Sequence, residues 1–236
     1  MQDFNIFIIM KQAEVLHIIH LTDIHGVNYL IDEIGSEIKH ADLVILSGDI
    51  THFGGIKEAE KIINTIKDYN SSLLAVSGNC DYPEIEDYLL VNDINLHLTP
   101  RELAGFTFAG IGGSLPCPGT TPFEYSDDQA KAWLENIMDK LTGELPLIFI
   151  SHQPPFNTVN DALPDGLHVG SKSIYNFICN IQPLICLTGH IHEGIGIDTT
   201  GKTKIVNPGP FRTGKYAKLE IKDKNSVEVI LKQVTA

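Results

Sequence analysis

Five short motifs rich in Asp, Asn and His each follow a run of apolar residues. They are Asp23-Ile24-His25, Gly48-Asp49, Gly78-Asn79-Cys80-Asp81, Ser151-His152 and Gly189-His190-Ile191-His192. Carboxylate oxygens, amide oxygens and imidazole nitrogens are donors that suit Mn²⁺, Fe, Zn²⁺ or Ni²⁺, and one carboxylate can bridge two ions. Each motif alone is common in proteins. All five together, in order after apolar runs, predict a site for divalent metal ions.

The apolar runs alternate with amphipathic stretches, which is the pattern of parallel strands joined by crossover helices. We predict strands at 16–22, 43–47, 73–77, 106–111, 147–150 and 184–187. Helices are predicted at 27–39, 56–69, 83–90, 126–141 and 172–180. Short strands joined by tight turns are predicted near the end of the chain, at 194–198, 204–206, 217–221 and 227–231. The pattern therefore indicates an α/β protein with an antiparallel end.

The spacing of the motifs predicts that they meet in space. Asp49 follows Asp23 by 26 residues and Asn79 follows Asp49 by 30 residues, and each separation is about one strand-helix-strand unit. Because the carboxyl ends of parallel strands lie at one edge of a sheet, we expect these side chains to converge there. His190 and His192 are two residues apart, so they share a face if they continue the strand and diverge if they form a turn.

Length and composition limit the alternatives. The chain has 236 residues, which predicts a single domain, 1–236, with residues 1–10 as an extra N-terminal strand or an extension. The net charge of −13 would repel a nucleic-acid backbone. No apolar run approaches the ~20 residues that span a membrane.

The four cysteines form no CxxC pair, which favours reduced thiols in the cytoplasm. The sequence leaves open whether the chains form a homo-oligomer.

The order of these motifs resembles that of the calcineurin-like metallophosphoesterases. The pattern of that family is Asp-x-His, Gly-Asp, Gly-Asn-His-Asp/Glu, a lone His and Gly-His-x-His. The resemblance extends from about Leu16 to Gly209 and includes the family's Asn-Pro-Gly, here Asn207-Pro208-Gly209. It implies two metal ions bound by seven residues: Asp23, His25 and His192 at one ion, Asn79, His152 and His190 at the other, and Asp49 as the bridge.

The resemblance also implies a fold and an activity. The fold would be α/β, with two mixed sheets packed as a sandwich and flanked by helices on both sides. The activity would be hydrolysis of a phosphate monoester or diester, in which a hydroxide that bridges the two ions attacks phosphorus. The partner would be a small phosphorylated substrate. A catalytically weakened scaffold for protein binding and a nuclease are the alternatives. Seven intact ligands argue against the scaffold, and the acidic charge argues against the nuclease.

One position departs from the family pattern. Cys80 stands where the family has a His, and that His stabilises the transferring phosphoryl group or protonates the leaving oxygen. A thiol does not replace it, because metal ions nearby would leave a thiolate that repels phosphate. Two roles remain open for Cys80: a catalytic residue or a small packing residue. His52 lies in the loop where the nuclease branch of the family places an active-site His, and it is either the catalytic substitute or a solvated loop residue. His168 and Arg212 are predicted to bind substrate, with solvated loop positions as the alternative.

Overall fold

The structure is a computed structural model that describes residues 15–234, so the strand or extension predicted at residues 1–10 lies outside the described part. Within residues 15–234 the strands are β1 (Leu16–Leu21), β2 (Leu43–Ser47), β3 (Leu73–Val76), β4 (Arg101–Leu103), β5 (Phe106–Ile111), β6 (Leu147–Ser151), β7 (Ile185–Thr188), β8 (Gly196–Thr200), β9 (Thr203–Asn207), β10 (Lys215–Asp223) and β11 (Ser226–Gln233). The helices of that part are α1 (Tyr29–Glu33), α2 (Gly35–His40), α3 (Ile56–Tyr69), α4 (Glu84–Val91), α5 (Asp127–Lys140) and α6 (Lys172–Ile181).

The strands form two mixed sheets. The first has the order β11-β10-β1-β2-β3, in which β1, β2 and β3 are parallel and β10 pairs antiparallel with both β1 and β11. The second has the order β4-β5-β6-β7-β9-β8, with four parallel strands in the middle and an antiparallel strand at each edge. In the first sheet Leu21 pairs with Leu46, and Ser47 pairs with Val76. The loops that follow β1, β2 and β3 therefore begin side by side.

Three apolar cores hold the layers together. Ile18, Ile45 and Val76 of the first sheet pack with Phe108 and Ile150 of the second, so the sheets lie face to face. Helices α1 to α4 cover the outer face of the first sheet, and helices α5 and α6 cover the outer face of the second. Every residue of β2 and β6 is buried, because one side of each strand faces a sheet and the other faces helices. This arrangement confirms the sandwich with flanking helices that the resemblance implied.

Of the two longest helices, α3 has the apolar periodicity and α5 the N-terminal cap that its sequence predicts. In α3 the buried residues Ala59, Ile62 and Ile66 recur at helical spacing on the face that packs on the first sheet. Helix α5 begins after Ser126, whose side chain accepts from the backbone N–H of Gln129 while the Gln129 side chain accepts in return. No helix in residues 15–234 combines the length and the apolar character that a membrane crossing requires.

Two expectations about the elements were wrong, and one strand was not predicted. The helix predicted at 27–39 is two short helices, because the chain bends at Ile34 and Gly35 packs so tightly on the ring of Tyr69 that a Cβ would overlap it. Strand β4 was not predicted, because two of its three residues are exposed and it has little apolar character. The end of the chain is only partly antiparallel, since β9 runs parallel to β7.

Candidate metal centre

All seven predicted ligands lie in loops that follow the carboxyl ends of strands. The loops after β1, β2 and β3 belong to the first sheet and carry Asp23, His25, Asp49 and Asn79. The loops after β6 and β7 belong to the second sheet and carry His152, His190 and His192. The spacing of the motifs predicted one edge of one sheet, and here the structure differs. The ligand atoms meet where the carboxyl ends of two packed sheets adjoin.

The first group of ligand atoms consists of Asp23, His25 and His192, which lie within 4.8 Å of one another. The Nε2 atom of His192 is 3.2 Å from Asp23 Oδ1 and 3.4 Å from His25 Nε2. The same His25 nitrogen is 3.5 Å from Asp49 Oδ2. Two imidazole nitrogens and two carboxylate oxygens therefore point toward a common centre, which is the donor set that a divalent transition metal prefers.

The second group is built around His152, which is fully buried. Its Nε2 atom is 3.0 Å from Asn79 Oδ1 and 3.4 Å from Asp49 Oδ1. Its Nδ1–H donates to the carbonyl oxygen of Ser47 at 2.8 Å, which fixes the ring and leaves Nε2 facing the carboxylate. The ring of His190 contacts that of His152 in a tilted arrangement, with centroids 5.2 Å apart and an interplanar angle of 56°. Asp49 thus directs one oxygen to each group, as a bridging carboxylate would.

The backbone around these side chains is strained. Asp23, His25, Asp49 and His190 have φ of +53°, +48°, +49° and +66°, a region that non-glycine residues seldom adopt. Backbone hydrogen bonds hold the first loop in this conformation, since Asp23 N donates to Gly48 O at 3.0 Å and His25 N donates to Asp49 O at 2.9 Å. Strain of this kind concentrates at functional sites. It also places His190 in a turn, so that the side chains of His190 and His192 diverge.

Asp81 ties the second and third loops together. Its buried carboxylate accepts from the backbone N–H groups of Ile50, Thr51 and Gly78 at 2.8–3.0 Å, and from the hydroxyl of Thr51 at 2.8 Å. These donors flank Asp49 on one loop and Asn79 on the other. Asp81 is therefore a positioning residue that sets the separation of Asp49, the predicted bridge, and Asn79, the predicted amide ligand.

The charges within the site shift its pKa values in opposite directions. Burial alone would raise the pKa of the Asp49 carboxyl, but the charge and hydrogen bond of His152 outweigh burial and hold it well below the usual range. Burial alone would lower the pKa of His152, but the carboxylates of Asp49 and Asp23 raise it to about 9. Burial and the neighbouring charge of His152 lower the pKa of His190 to about 4. In the metal-free protein at neutral pH, the positive charge of this pair of rings therefore resides on His152.

We expect metal binding to release this proton. A metal ion must displace the proton from His152 Nε2, so below pH 9 binding competes with protonation and the apparent affinity should rise about tenfold per pH unit. Above pH 9 this contribution should level off. Titration calorimetry in buffers of different ionisation enthalpy measures the protons released. Release that stays constant from pH 7 to pH 10 would exclude His152 as the protonated group.

Two further predicted residues lie against the ligands. The Nδ1 atom of His52 is 3.3 Å from His25 Nδ1, on the side of that ring away from Asp49, and the two rings meet edge to face. One guanidinium nitrogen of Arg212 is 3.2 Å from His192 Nδ1, and the backbone N–H of Arg212 donates to Asp23 O. His52 is therefore placed to orient His25, and Arg212 is placed at the rim of the first group.

The structure does not bring His168 to the ligands. Its Nδ1 atom is 2.7 Å from the buried carboxylate of Asp161, which also accepts from the backbone N–H groups of Thr158 and Gly170. Among residues 15–234, the hydrogen bonds of the His168 ring go to Asp161 alone. This network closes the long loop between β6 and α6, and His168 helps to hold that loop in shape.

Sequence reasoning missed Cys117. Its Sγ atom is 3.6 Å from His190 Nε2 and 3.2 Å from the carbonyl oxygen of Leu115. Cys117 therefore lies against the ring of a predicted ligand. Cys117 lies in a Gly- and Pro-rich loop with no motif of its own, and the only signal was that this loop also follows the carboxyl end of a strand, β5.

The contact of His52 with His25 leads to a prediction about metal affinity. Replacing His52 by Ala removes the partner of His25 Nδ1, and we expect metal affinity to fall about 10- to 100-fold while kcat at saturating Mn²⁺ changes only a few fold. His40→Ala, an exposed His on α2, is the matched control. If instead kcat falls by about 10²–10⁴-fold with metal affinity unchanged, His52 acts directly on the substrate as a proton donor or acceptor.

A family model for the calcineurin-like phosphoesterases matches residues 16–194, which includes all seven predicted ligands. The chain belongs to the calcineurin-like phosphoesterase family. The uncharacterized protein MJ1162 of Methanocaldococcus jannaschii is 38% identical over 203 residues, which cover 84% of this chain and 90% of that protein. A probable glycerophosphodiester phosphodiesterase, GpdQ, of Arcobacter nitrofigilis is 27% identical over 191 residues, which cover 78% of this chain and 68% of that protein.

The fold is also similar to that of solved structures. The crystal structure of TT1561 of Thermus thermophilus matches with a TM-score of 0.73 and 20% sequence identity. The match covers 94% of this chain and all of that one. At this level of identity the likeness concerns the fold, and it agrees with the two mixed sheets described above.

Proposed function

We propose that this protein is a metal-dependent phosphoesterase that binds two divalent ions. One ion would be held by Asp23, His25 and His192, the other by Asn79, His152 and His190, with Asp49 as the bridge. The observation that carries the proposal is the position of Asp49, whose two carboxylate oxygens lie 3.4 Å and 3.5 Å from imidazole nitrogens of different groups. A carboxylate placed between two sets of nitrogen and oxygen donors is the arrangement that holds a pair of cations.

The chain's own residues orient the reactants. Two bound ions would supply a water nucleophile of lowered pKa and neutralise the phosphate oxygens. His152 is held in one orientation by Ser47 O, which keeps Nε2 directed into the site. Arg212 lies beside His192, where its guanidinium can pair with a phosphate oxygen. No protein nucleophile is required, and the reaction needs a proton donor only when the leaving oxygen is strongly basic.

The substrate we propose is a small phosphate ester. The net charge of −13 makes a polyanion such as nucleic acid a poor partner. The relative named as a probable glycerophosphodiester phosphodiesterase makes diesters of small alcohols the first class to test, with monoesters as the second. The mixed nitrogen and oxygen donors suit Mn²⁺, Fe, Zn²⁺ or Ni²⁺. We also propose a cytoplasmic location, because the four cysteines are free in the structure and thiols stay reduced in the cytoplasm.

The test combines metal analysis with a substrate screen. Protein purified without chelator and reconstituted with Mn²⁺ should contain two metal ions per chain by mass spectrometry, and it should hydrolyse phosphate diesters or monoesters of small alcohols. Removal of the metal with EDTA should abolish the activity, and Mn²⁺ should restore it. A protein that binds at most one ion contradicts the proposed pair. A protein that binds two ions and cleaves no ester would be a scaffold of this fold instead.

A further inference from the structure

An exposed aromatic side chain lies close to the centre on the loop that carries Asp49. Phe53 is 46% exposed, although large apolar side chains are usually buried. Its backbone has φ of +57°, which is costly for a bulky residue. The three apolar cores of residues 15–234 do not include its ring. Packing therefore gives no reason for an aromatic residue at this position.

The ring of Phe53 is connected to the ligands by aromatic contacts. It meets the ring of His52 edge to face with centroids 5.0 Å apart, and His52 meets His25 in the same way at 5.3 Å. The backbone N–H of Phe53 donates to Cys80 O at 3.2 Å, which anchors this loop to the one that carries Asn79. Tyr82, 44% exposed, follows on that second loop. Both loops thus present an aromatic side chain to solvent close to predicted ligands.

An exposed ring that is separated from His25 by the ring of His52 can bind the part of a substrate that extends away from phosphorus. When the phosphoryl group lies between the ligand groups, the alcohol portion of an ester extends toward the surrounding loops. Phe53 offers that portion no charge and no hydrogen bond, only an aromatic face and edge. Such a surface favours planar aromatic groups, which pair with it in stacked or edge-to-face geometry.

We propose that Phe53 is a specificity-determining residue that binds a planar aromatic group on the alcohol side of the phosphoester. The proposal rests on the proposed function, because it assumes that phosphate binds at the seven ligands. The aromatic group has two sources: a ring attached directly to the phosphate oxygen, as in an aryl ester, or a base carried on a sugar, as in a nucleotide. Either group would contact the ring of Phe53, but the base of a nucleotide lies farther from phosphorus than the ring of an aryl ester.

The test measures binding without hydrolysis, so that it does not depend on turnover. Dissociation constants are measured by calorimetry on the full-length, Mn²⁺-loaded protein for three phosphonates, which cannot be hydrolysed. Methylphosphonate carries no ring, phenylphosphonate carries a ring on phosphorus, and an acyclic adenine phosphonate carries a base on a spacer. The variants are Phe53→Leu, which keeps an apolar side chain without a ring, and Phe53→Trp, which keeps an aromatic one. The control is Leu103→Ala, an exposed apolar residue beside Leu16 and Ser72 at the amino ends of β1 and β3.

We expect Phe53→Leu to weaken binding of one aromatic phosphonate about 3- to 10-fold while binding of methylphosphonate changes less than twofold. Phe53→Trp should retain the preference, and Leu103→Ala should match the unmodified protein. Whichever aromatic probe responds identifies the source of the ring. The proposal is overturned if the unmodified protein shows no preference for either aromatic probe, or if Phe53→Leu weakens all three equally. Absence of ester hydrolysis with this preference intact would contradict the proposed function and leave the aromatic subsite standing.

Discussion

Replacing Asp49 by Asn should abolish activity, with a loss of at least about 10³-fold, and should remove high-affinity metal binding. Asn is nearly the same size as Asp, but it is neutral and offers one oxygen where the site requires two. Two divalent ions about 3.5–4 Å apart repel each other strongly, and the shared carboxylate is the group that screens this repulsion. The backbone N–H of Cys80 already donates to Asp49 Oδ1. If the amide oxygen accepts this bond, its NH₂ group faces His25, where a cation would have to bind.

The measurement for Asp49→Asn is metal content per chain alongside kcat/KM, with circular dichroism to establish that the variant folds. Asp42→Asn is a matched control. Asp42 precedes β2 at the opposite end of the same sheet, and its carboxylate accepts from the backbone N–H of His17. This control should bind two ions and retain activity. Full metal content and full turnover in Asp49→Asn would refute the bridging role.

Replacing Cys80 by His should raise activity selectively, by about 10²-fold, on esters with poor leaving groups. The Sγ atom of Cys80 lies within 4.8 Å of ligand atoms of His25 and Asp49, so the side chain faces the predicted site. In the metal-free protein, burial and the charge of Asp49 raise the pKa of this thiol. A thiol of raised pKa is a poor proton donor, and the thiolate expected beside bound metal ions has no proton to donate. The unmodified protein should therefore cleave nitrophenyl esters far better than alkyl esters, because nitrophenolate leaves without a proton.

The Cys80→His comparison needs two controls. Cys80→Ser has a side chain close in size to the native one and lacks the imidazole, so it should show no selective gain on alkyl esters. Cys80 is only 8% exposed, so the larger imidazole must also be checked for overpacking through the Tm and the metal content. A folded, metal-loaded Cys80→His protein with no selective gain would count against a role in protonating the leaving group. Cys80 would then be a packing residue.

The sequence was most informative where burial and chemistry coincide. The strands that precede the predicted ligands are apolar because nearly all of their residues are buried, and a polar residue directly after such a run marks the point where the chain leaves the core. Asp23, Asp49 and His152 could therefore be placed at strand ends without a structure. Their convergence follows from the parallel direction of the strands, which short strand-helix-strand spacing enforces.

The rest depended on contacts that spacing does not encode. The sequence separation of Asn79 and His152 does not indicate that Asn79 follows a strand of the first sheet and His152 a strand of the second. The orientation of His52 depends on where the loop after β2 turns, and the contact of Cys117 with His190 depends on the course of a loop without a motif. The choice between a shared face and a turn at His190 was decided by a backbone φ of +66°, which residue type alone does not predict.

The division of the ligands between two sheets has a consequence for folding. Four of the seven side chains follow strands of one sheet and three follow strands of the other, so bound ions would cross-link two layers whose facing surfaces form an apolar core. A metal ion present at a free concentration 100 times its Kd adds about 2.7 kcal/mol to the free energy of unfolding. Neither sheet could detach from the other without giving up that free energy. Metal loading would thus make the separation of the two layers and the loss of the site a single cooperative event.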